Sequence, residues 1–200
     1  MLYIVENTDQ LGNDFLADAL PRLSLQRLRQ LDERKAFIDK INGAVCYLML
    51  QYALRTEYNL TEPVTFTYGQ HGKPSLAQHP DIYFNFSHCR NAAACIVSNQ
   101  PNSVDIADLR HVSMRTARFF CSDAEYTAVQ QLDDPCDELV RLWSQKECYA
   151  KLSGDGLFVH FRSVLPNDHP EIHTLKGKRY YCSYYSPDEL SPVILDPAEL

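Results

Sequence analysis

Apolar residues recur along this chain in two rhythms, period two and period three to four, and their succession lays out the elements. Residues 2–5 (Leu-Tyr-Ile-Val) read as a short strand. One or two helices are expected over 14–37, with Ser24 placed to cap one. A longer helix runs from Asp39 to Tyr58, carrying Ile41, Ala44, Val45, Leu48, Met49, Tyr52 and Ala53 on one face. Val64–Tyr68 alternates like a strand, and Gly69–Pro74 is a loop. Strands follow at Ile82–Ser87 and Ala93–Ser98. The second half opens with a short strand, Val104–Ile106, and helices over 113–132. In the next helix Leu139, Leu142, Trp143, Tyr149, Ala150 and Leu152 form an apolar stripe. Gly154-Asp155-Gly156 should stop it, and strands are expected around Phe158–Leu165, Lys178–Tyr185 and Val193–Leu195. Both halves run strand, helices, long helix, antiparallel strands. The pattern predicts an α+β fold of two pseudo-symmetric lobes, 1–100 and 101–200, each a long helix packed on a small antiparallel sheet.

Composition narrows the function classes. A formal charge of −7 argues against a general nucleic-acid binder, which needs a broad basic surface. The stretch from Arg22 to Lys40 departs from that mean, with Arg22, Arg27, Arg29, Arg34, Lys35 and Lys40 against Asp32, Glu33 and Asp39. Such a patch on an acidic chain suits one anionic ligand or partner, or is a solvated helix face. The 7 cysteines show neither a Cys-x-x-Cys pair nor zinc-ligand spacing, which points to reduced thiols in the cytoplasm. The N-terminus lacks the basic and apolar regions of a secretory signal, and no apolar run approaches the ~20 residues of a membrane span.

Four islands carry candidate chemistry. Lys146 falls inside the apolar stripe of the Trp143 helix, and Glu147 and Lys151 lie one turn apart on its edge. A lysine there either meets an anion or extends its stem to solvent, leaving an ordinary surface pair beside it. Lys73 stands on a stiff turn between Gly72 and Pro74. In Phe84-Asn85-Phe86-Ser87-His88 the phenylalanines take the core face, and Ser87 with a protonated His88 at the strand end can contact phosphate or form a hydrogen-bonded turn. Asp105 lies between Val104 and Ile106; if those face inward, it faces a cleft and needs a cation, a hard one such as Mg²⁺.

Taken in order, Gly72-Lys73-Pro74, Phe84-Asn85-Phe86-Ser87-His88, Val104-Asp105-Ile106, Phe119-Phe120-Cys121-Ser122-Asp123-Ala124-Glu125 and Leu142-Trp143-Ser144-Gln145-Lys146-Glu147-x-x-x-Lys151-x-x-Gly154-x-Gly156-Leu157 closely resemble the 4'-phosphopantetheinyl transferases, in their two-lobed monomeric branch. The resemblance implies that family's fold, with the metal and catalytic residues in the second lobe. It implies transfer of phosphopantetheine from coenzyme A to a serine of an apo acyl or peptidyl carrier protein, releasing adenosine 3',5'-bisphosphate. On the same basis Asp105 and Glu147 hold Mg²⁺, Glu147 takes the serine proton, and Lys151 and Lys146 stabilise phosphoryl charge. Lys73, Ser87, His88 and, more loosely aligned, Lys40 hold coenzyme A. The sequence departs from the family's Gly-[Ile/Val]-Asp-x-Glu pattern, with Ser103 for glycine and Ala107 for glutamate. Water can replace the missing ligand, and Asp108 can support the site from behind. An impaired relative that binds coenzyme A or a carrier without transfer is the alternative. A monomer in the cytoplasm, with no membrane or nucleic-acid partner, is expected. The acidic carrier should meet Arg22–Arg34 or the helices carrying Arg115, Arg118 and Phe119.

Overall fold

Alternation along the first strand, β1 (Leu2–Glu6), explains how the layers stack: Tyr3 and Val5 enter one core, Leu2 and Ile4 another. The computed structural model describes residues 1–110, 112–154 and 160–200. The elements run β1, α1 (Asn13–Ala19), α2 (Leu25–Asp32), α3 (Phe37–Tyr58), β2 (Phe66–Tyr68), β3 (Pro74–Leu76), β4 (Tyr83–His88), β5 (Ala92–Ser98) and β6 (Ser103–Asp108). They continue with α4 (Met114–Phe120), α5 (Asp123–Val129), α6 (Cys136–Ser153), β7 (Ile172–Lys176), β8 (Tyr180–Tyr185) and β9 (Val193–Ile194). One sheet has the order β4-β5-β1-β9, another β6-β8-β7, and β2 and β3 form a hairpin. Helix α3 covers the outer face of the first sheet. The inner face packs Leu2, Ile4, Ala94 and Ile96 on Val104, Ile106, Cys182 and Tyr184 of the second sheet. Helix α6 covers the far side of β6 and β8. The result is a mixed α+β stack of helix, sheet, sheet, helix. At one edge the halves interleave, because β9 pairs parallel with β1.

Local chemistry accounts for most boundaries. Ser24, Ser113 and Ser122 cap α2, α4 and α5 by accepting from backbone N–H groups, and Ser122 completes a capping box with Glu125. Helix α3 differs from the one-faced helix expected. Every residue from Ile41 to Leu50 is buried, because α1 and α2 pack on the side away from the sheet. Gly43 permits this: a Cβ there would collide with Leu31. Gly154 ends α6 at φ 78°. Asp155 and Gly156 of the expected stop, Leu157 of the motif, and the start of the strand expected at Phe158–Leu165 lie outside the described residues. The remainder of that strand is corrected. Phe161–Ser163 is a 3-10 turn, and the carbonyls of Phe161 and Val164 turn toward Lys146 instead of a neighbouring strand. Strand β7 was not expected; its Ile-His-Thr-Leu-Lys run is too short and polar to stand out.

Candidate functional site

The expected acidic pair meets where β6, the end of β4 and α6 converge. Val104 and Ile106 bury in the inter-sheet core, so Asp105 projects to the opposite face, toward α6. Asp105 and Glu147 line one cavity of about 700 Å³, shared with His88, Arg90, Trp143 and Asn42. Lys151 reaches over from α6: its Nζ donates to Asp105 Oδ1 at 2.7 Å, Ser87 Oγ at 2.7 Å and the Val104 carbonyl at 3.2 Å. Ser87 in turn donates to Asp105 Oδ1 at 3.0 Å. Burial pushes the Glu147 carboxyl up, and the charge of Asp105 adds to the effect, while Lys151 opposes it. The two carboxylates therefore sense each other across the cavity.

Two hard oxygen donors on separate elements, with an ammonium already drawn to one of them, form a donor set suited to Mg²⁺, which binds through one or two carboxylates and keeps waters. Among the described residues no group of three or more His, Cys, Asp or Glu could hold a metal. Any ion here would need oxygens from substrate and solvent. Asp108 also lines the cavity, and its carboxylate accepts from Arg90 N at 3.1 Å and Asn91 Nδ2 at 2.7 Å, which ties this side of the cavity to the β4–β5 turn.

Other expected residues fall in different places. His88 lines the cavity, but not as the protonated group expected. Burial and the nearby Arg34 charge push its pKa down to about 4, so the ring is neutral near pH 7. Lys73 lies on the other side of Lys151. Its Nζ donates to the carbonyls of Lys151 at 2.7 Å and Leu152 at 3.2 Å, tying the first half of the chain to the end of α6. Lys146 is fully buried and lies outside the cavity lining. Its three donors go to Glu125 Oε2 at 2.9 Å, the Phe161 carbonyl at 3.0 Å and the Val164 carbonyl at 2.5 Å, so none is left for a phosphate. Of the two alternatives open to it from sequence the first holds: Lys146 meets an anion, and that anion is the Glu125 side chain of its own chain. Lys40, half-buried on α3, is not among the residues lining the cavity, whereas Asp39 and Asn42 are.

Sequence reasoning passed over several contributors. Asp39 and Asn42 sit three apart on α3, a spacing that marks a shared face. Arg27, grouped with the surface patch, is 5% exposed. Its guanidinium donates to the Gly43 carbonyl and lies over the Phe86 ring at 5.5 Å. Burial pushes its pKa down. Together Arg27, Arg34 and Lys151 oppose protonation of His88, with only Asp39 favouring it among the charges acting on the ring. The charges acting on the His88 ring are thus mostly positive, in a chain that is acidic overall.

Residues 103–194 match the 4'-phosphopantetheinyl transferase superfamily. The chain is 30% identical over 113 residues to 4'-phosphopantetheinyl transferase Sfp of Bacillus subtilis, covering 55% of this chain and 50% of that protein. It is 24% identical over 168 residues to 4'-phosphopantetheinyl transferase gsp of Aneurinibacillus migulanus, covering 78% and 70%. Over 193 residues it is 28% identical to an L-aminoadipate-semialdehyde dehydrogenase-phosphopantetheinyl transferase of Candida glabrata, covering 86% and 74%. The chain spans about half the length of the first of these relatives.

Proposed function

We propose that the chain, whose residues 103–194 match the 4'-phosphopantetheinyl transferase superfamily, moves the 4'-phosphopantetheine group of coenzyme A to a serine hydroxyl of an apo acyl or peptidyl carrier protein. The observation that carries this reading is the convergence of Asp105 from β6 and Glu147 from α6 on one cavity, with the Lys151 ammonium between their elements. Phosphoryl transfer asks chiefly for positioning and charge neutralisation. Asp105 and Glu147 would hold Mg²⁺, which when bound withdraws charge from the diphosphate. Lys151, 2.7 Å from Asp105, is placed to neutralise the phosphoryl oxygens as the bond to the departing nucleotide lengthens. Glu147, held above the usual carboxylate range, takes the serine proton. The serine oxygen then bonds to the pantetheine-side phosphorus, and adenosine 3',5'-bisphosphate leaves with the bridging oxygen. His88 lines the cavity as a neutral hydrogen-bonding ring for the nucleotide phosphate, with the charges of Arg34, Lys151 and Arg27 acting on that position. Lys73 and Lys146 support the site from outside it, one fixing the end of α6 and the other the segment after it.

The carrier would dock on local basic and apolar surface, since the chain's net charge of −7 cannot attract an acidic partner as a whole. Phe119, 74% exposed beside Arg115 and Arg118 on α4, fits that role. All seven cysteines are free, which favours a reducing cytoplasm, and no described helix is long and apolar enough to cross a membrane. A cavity built within one chain favours a monomer. Incubation with coenzyme A, Mg²⁺ and several apo carriers tests the proposal by intact mass. A gain of one phosphopantetheine on a carrier is expected; binding without any gain would identify an impaired relative.

A further inference from the structure

The Lys151 ammonium lies on the same carboxylate that a metal ion would use. Its Nζ donates to Asp105 Oδ1 at 2.7 Å, Ser87 Oγ at 2.7 Å and the Val104 carbonyl at 3.2 Å, so all three of its donors converge on this spot. Ser87 donates to the same Oδ1 at 3.0 Å, and that oxygen therefore carries two donors. Ala107, next on this face of β6, lines the cavity and offers no ligating atom that could compensate. A divalent ion approaching Asp105 must share or displace the ammonium, and like charges a few ångströms apart repel more strongly in a partly desolvated site than in bulk water. Lys151 is free to yield. Its side chain is partly exposed, and a lysine's flexible stem can carry the charge to another acceptor. A diphosphate brings such acceptors, together with negative charge enough for both cations.

We propose that Lys151 guards Asp105: its ammonium keeps a divalent ion from binding alone, and the diphosphate of the substrate draws the ammonium off, so that ion and coenzyme A bind together. The inference rests on the transferase reading above. It gives Lys151 a task before the reaction as well as during it. Because the coupling is between two binding events, it acts equally in both directions, and the ion strengthens coenzyme A binding by the factor that coenzyme A strengthens the ion's.

Titration of the full chain with Mn²⁺, reading the free ion by electron paramagnetic resonance, tests this without turnover. Mn²⁺ alone should bind the wild type weakly. Saturating coenzyme A should tighten that binding about tenfold or more, once the ion that coenzyme A binds by itself is subtracted. In Lys151→Met the Asp105 carboxylate loses its ammonium, so Mn²⁺ alone should bind about tenfold tighter than to the wild type, and coenzyme A should then add less. Lys151→Arg keeps the charge and should bind Mn²⁺ as weakly as the wild type. Adding Asp105→Asn to Lys151→Met should abolish the gain. If Lys151→Met does not fold, Lys151→Gln is the deciding variant. Mn²⁺ affinity that is unchanged or weaker in the neutral variant, a gain that survives Asp105→Asn, or wild-type affinity that is equal with and without coenzyme A overturns the proposal while leaving the transferase reading intact. Failure of the wild type to bind coenzyme A in the presence of Mn²⁺ overturns both.

Discussion

Lys146 and Lys151 occupy one helix five residues apart, about 140° around its axis, and their surroundings differ sharply. Lys146 is sealed at 0% exposure among Glu125 and two carbonyls, and every donor is spent on its own chain. The Lys151 side chain keeps 26% exposure and lies against Asp105 and Ser87 beside an open cavity. The first is a structural knot: Glu125 caps α5 at Ser122 and holds Lys146, while Lys146 gathers the turn at Phe161–Val164. The second is a pair that substrate phosphate can enter. A lysine's presence in an apolar stripe does not separate these roles; the acceptors brought to it by distant segments do.

Removing Lys146 should have the largest effect on stability. Lys146→Met strands a largely buried Glu125 carboxylate and two carbonyls, and chemical denaturation should read a loss of about 3–5 kcal/mol. The folded fraction should keep near-normal transfer; a stable but inactive variant would return Lys146 to the reaction. Lys151→Met should show the reverse. Its transfer rate should fall about a hundredfold, roughly 2.7 kcal/mol in the barrier, with a smaller loss of stability than Lys146→Met, because Lys151 is partly solvated and Asp105 still accepts from Ser87. Equal losses of stability in the two variants would dissolve the contrast.

The knot also shows where reading the sequence stopped. The Ser24 cap, the long α3 and the stripe of α6 are written in local spacing, and the family's islands are contiguous enough to stand out. The outward projection of Asp105 follows from Val104 and Ile106 alone. By contrast, Glu125 lies 21 residues from Lys146, and the carbonyls 15 and 18 away, so no periodicity announces their meeting. Lys73 capping α6 spans 78 residues in the same way. Arg27 reads as surface because its helix α2 is short and amphipathic; only the close approach allowed by Gly43 buries it.

Acid should sharpen the difference further. Above about pH 6.5 His88 is neutral in both folded and unfolded chains. As pH falls toward 4 the unfolded chain takes up the proton and the folded chain resists it, so stability is lost through that window. By about pH 4.5 this one group should cost the fold about 2.5 kcal/mol. His88→Gln should flatten that part of the stability curve in denaturation experiments; an unchanged acid slope would place the ring in a wetter setting. The smallest stability effect belongs to Glu147→Gln. Removing a charge that burial and Asp105 disfavour should leave the melting temperature unchanged or raised by a degree or two, roughly 0.5 kcal/mol.

That same variant provides the most direct test of the central claim, that two carboxylates from β6 and α6 form one reactive site. With coenzyme A, Mg²⁺ and an apo carrier that the wild type modifies, the account predicts that folded Glu147→Gln adds no phosphopantetheine mass to the carrier. Modification at the wild-type rate by this variant would contradict it.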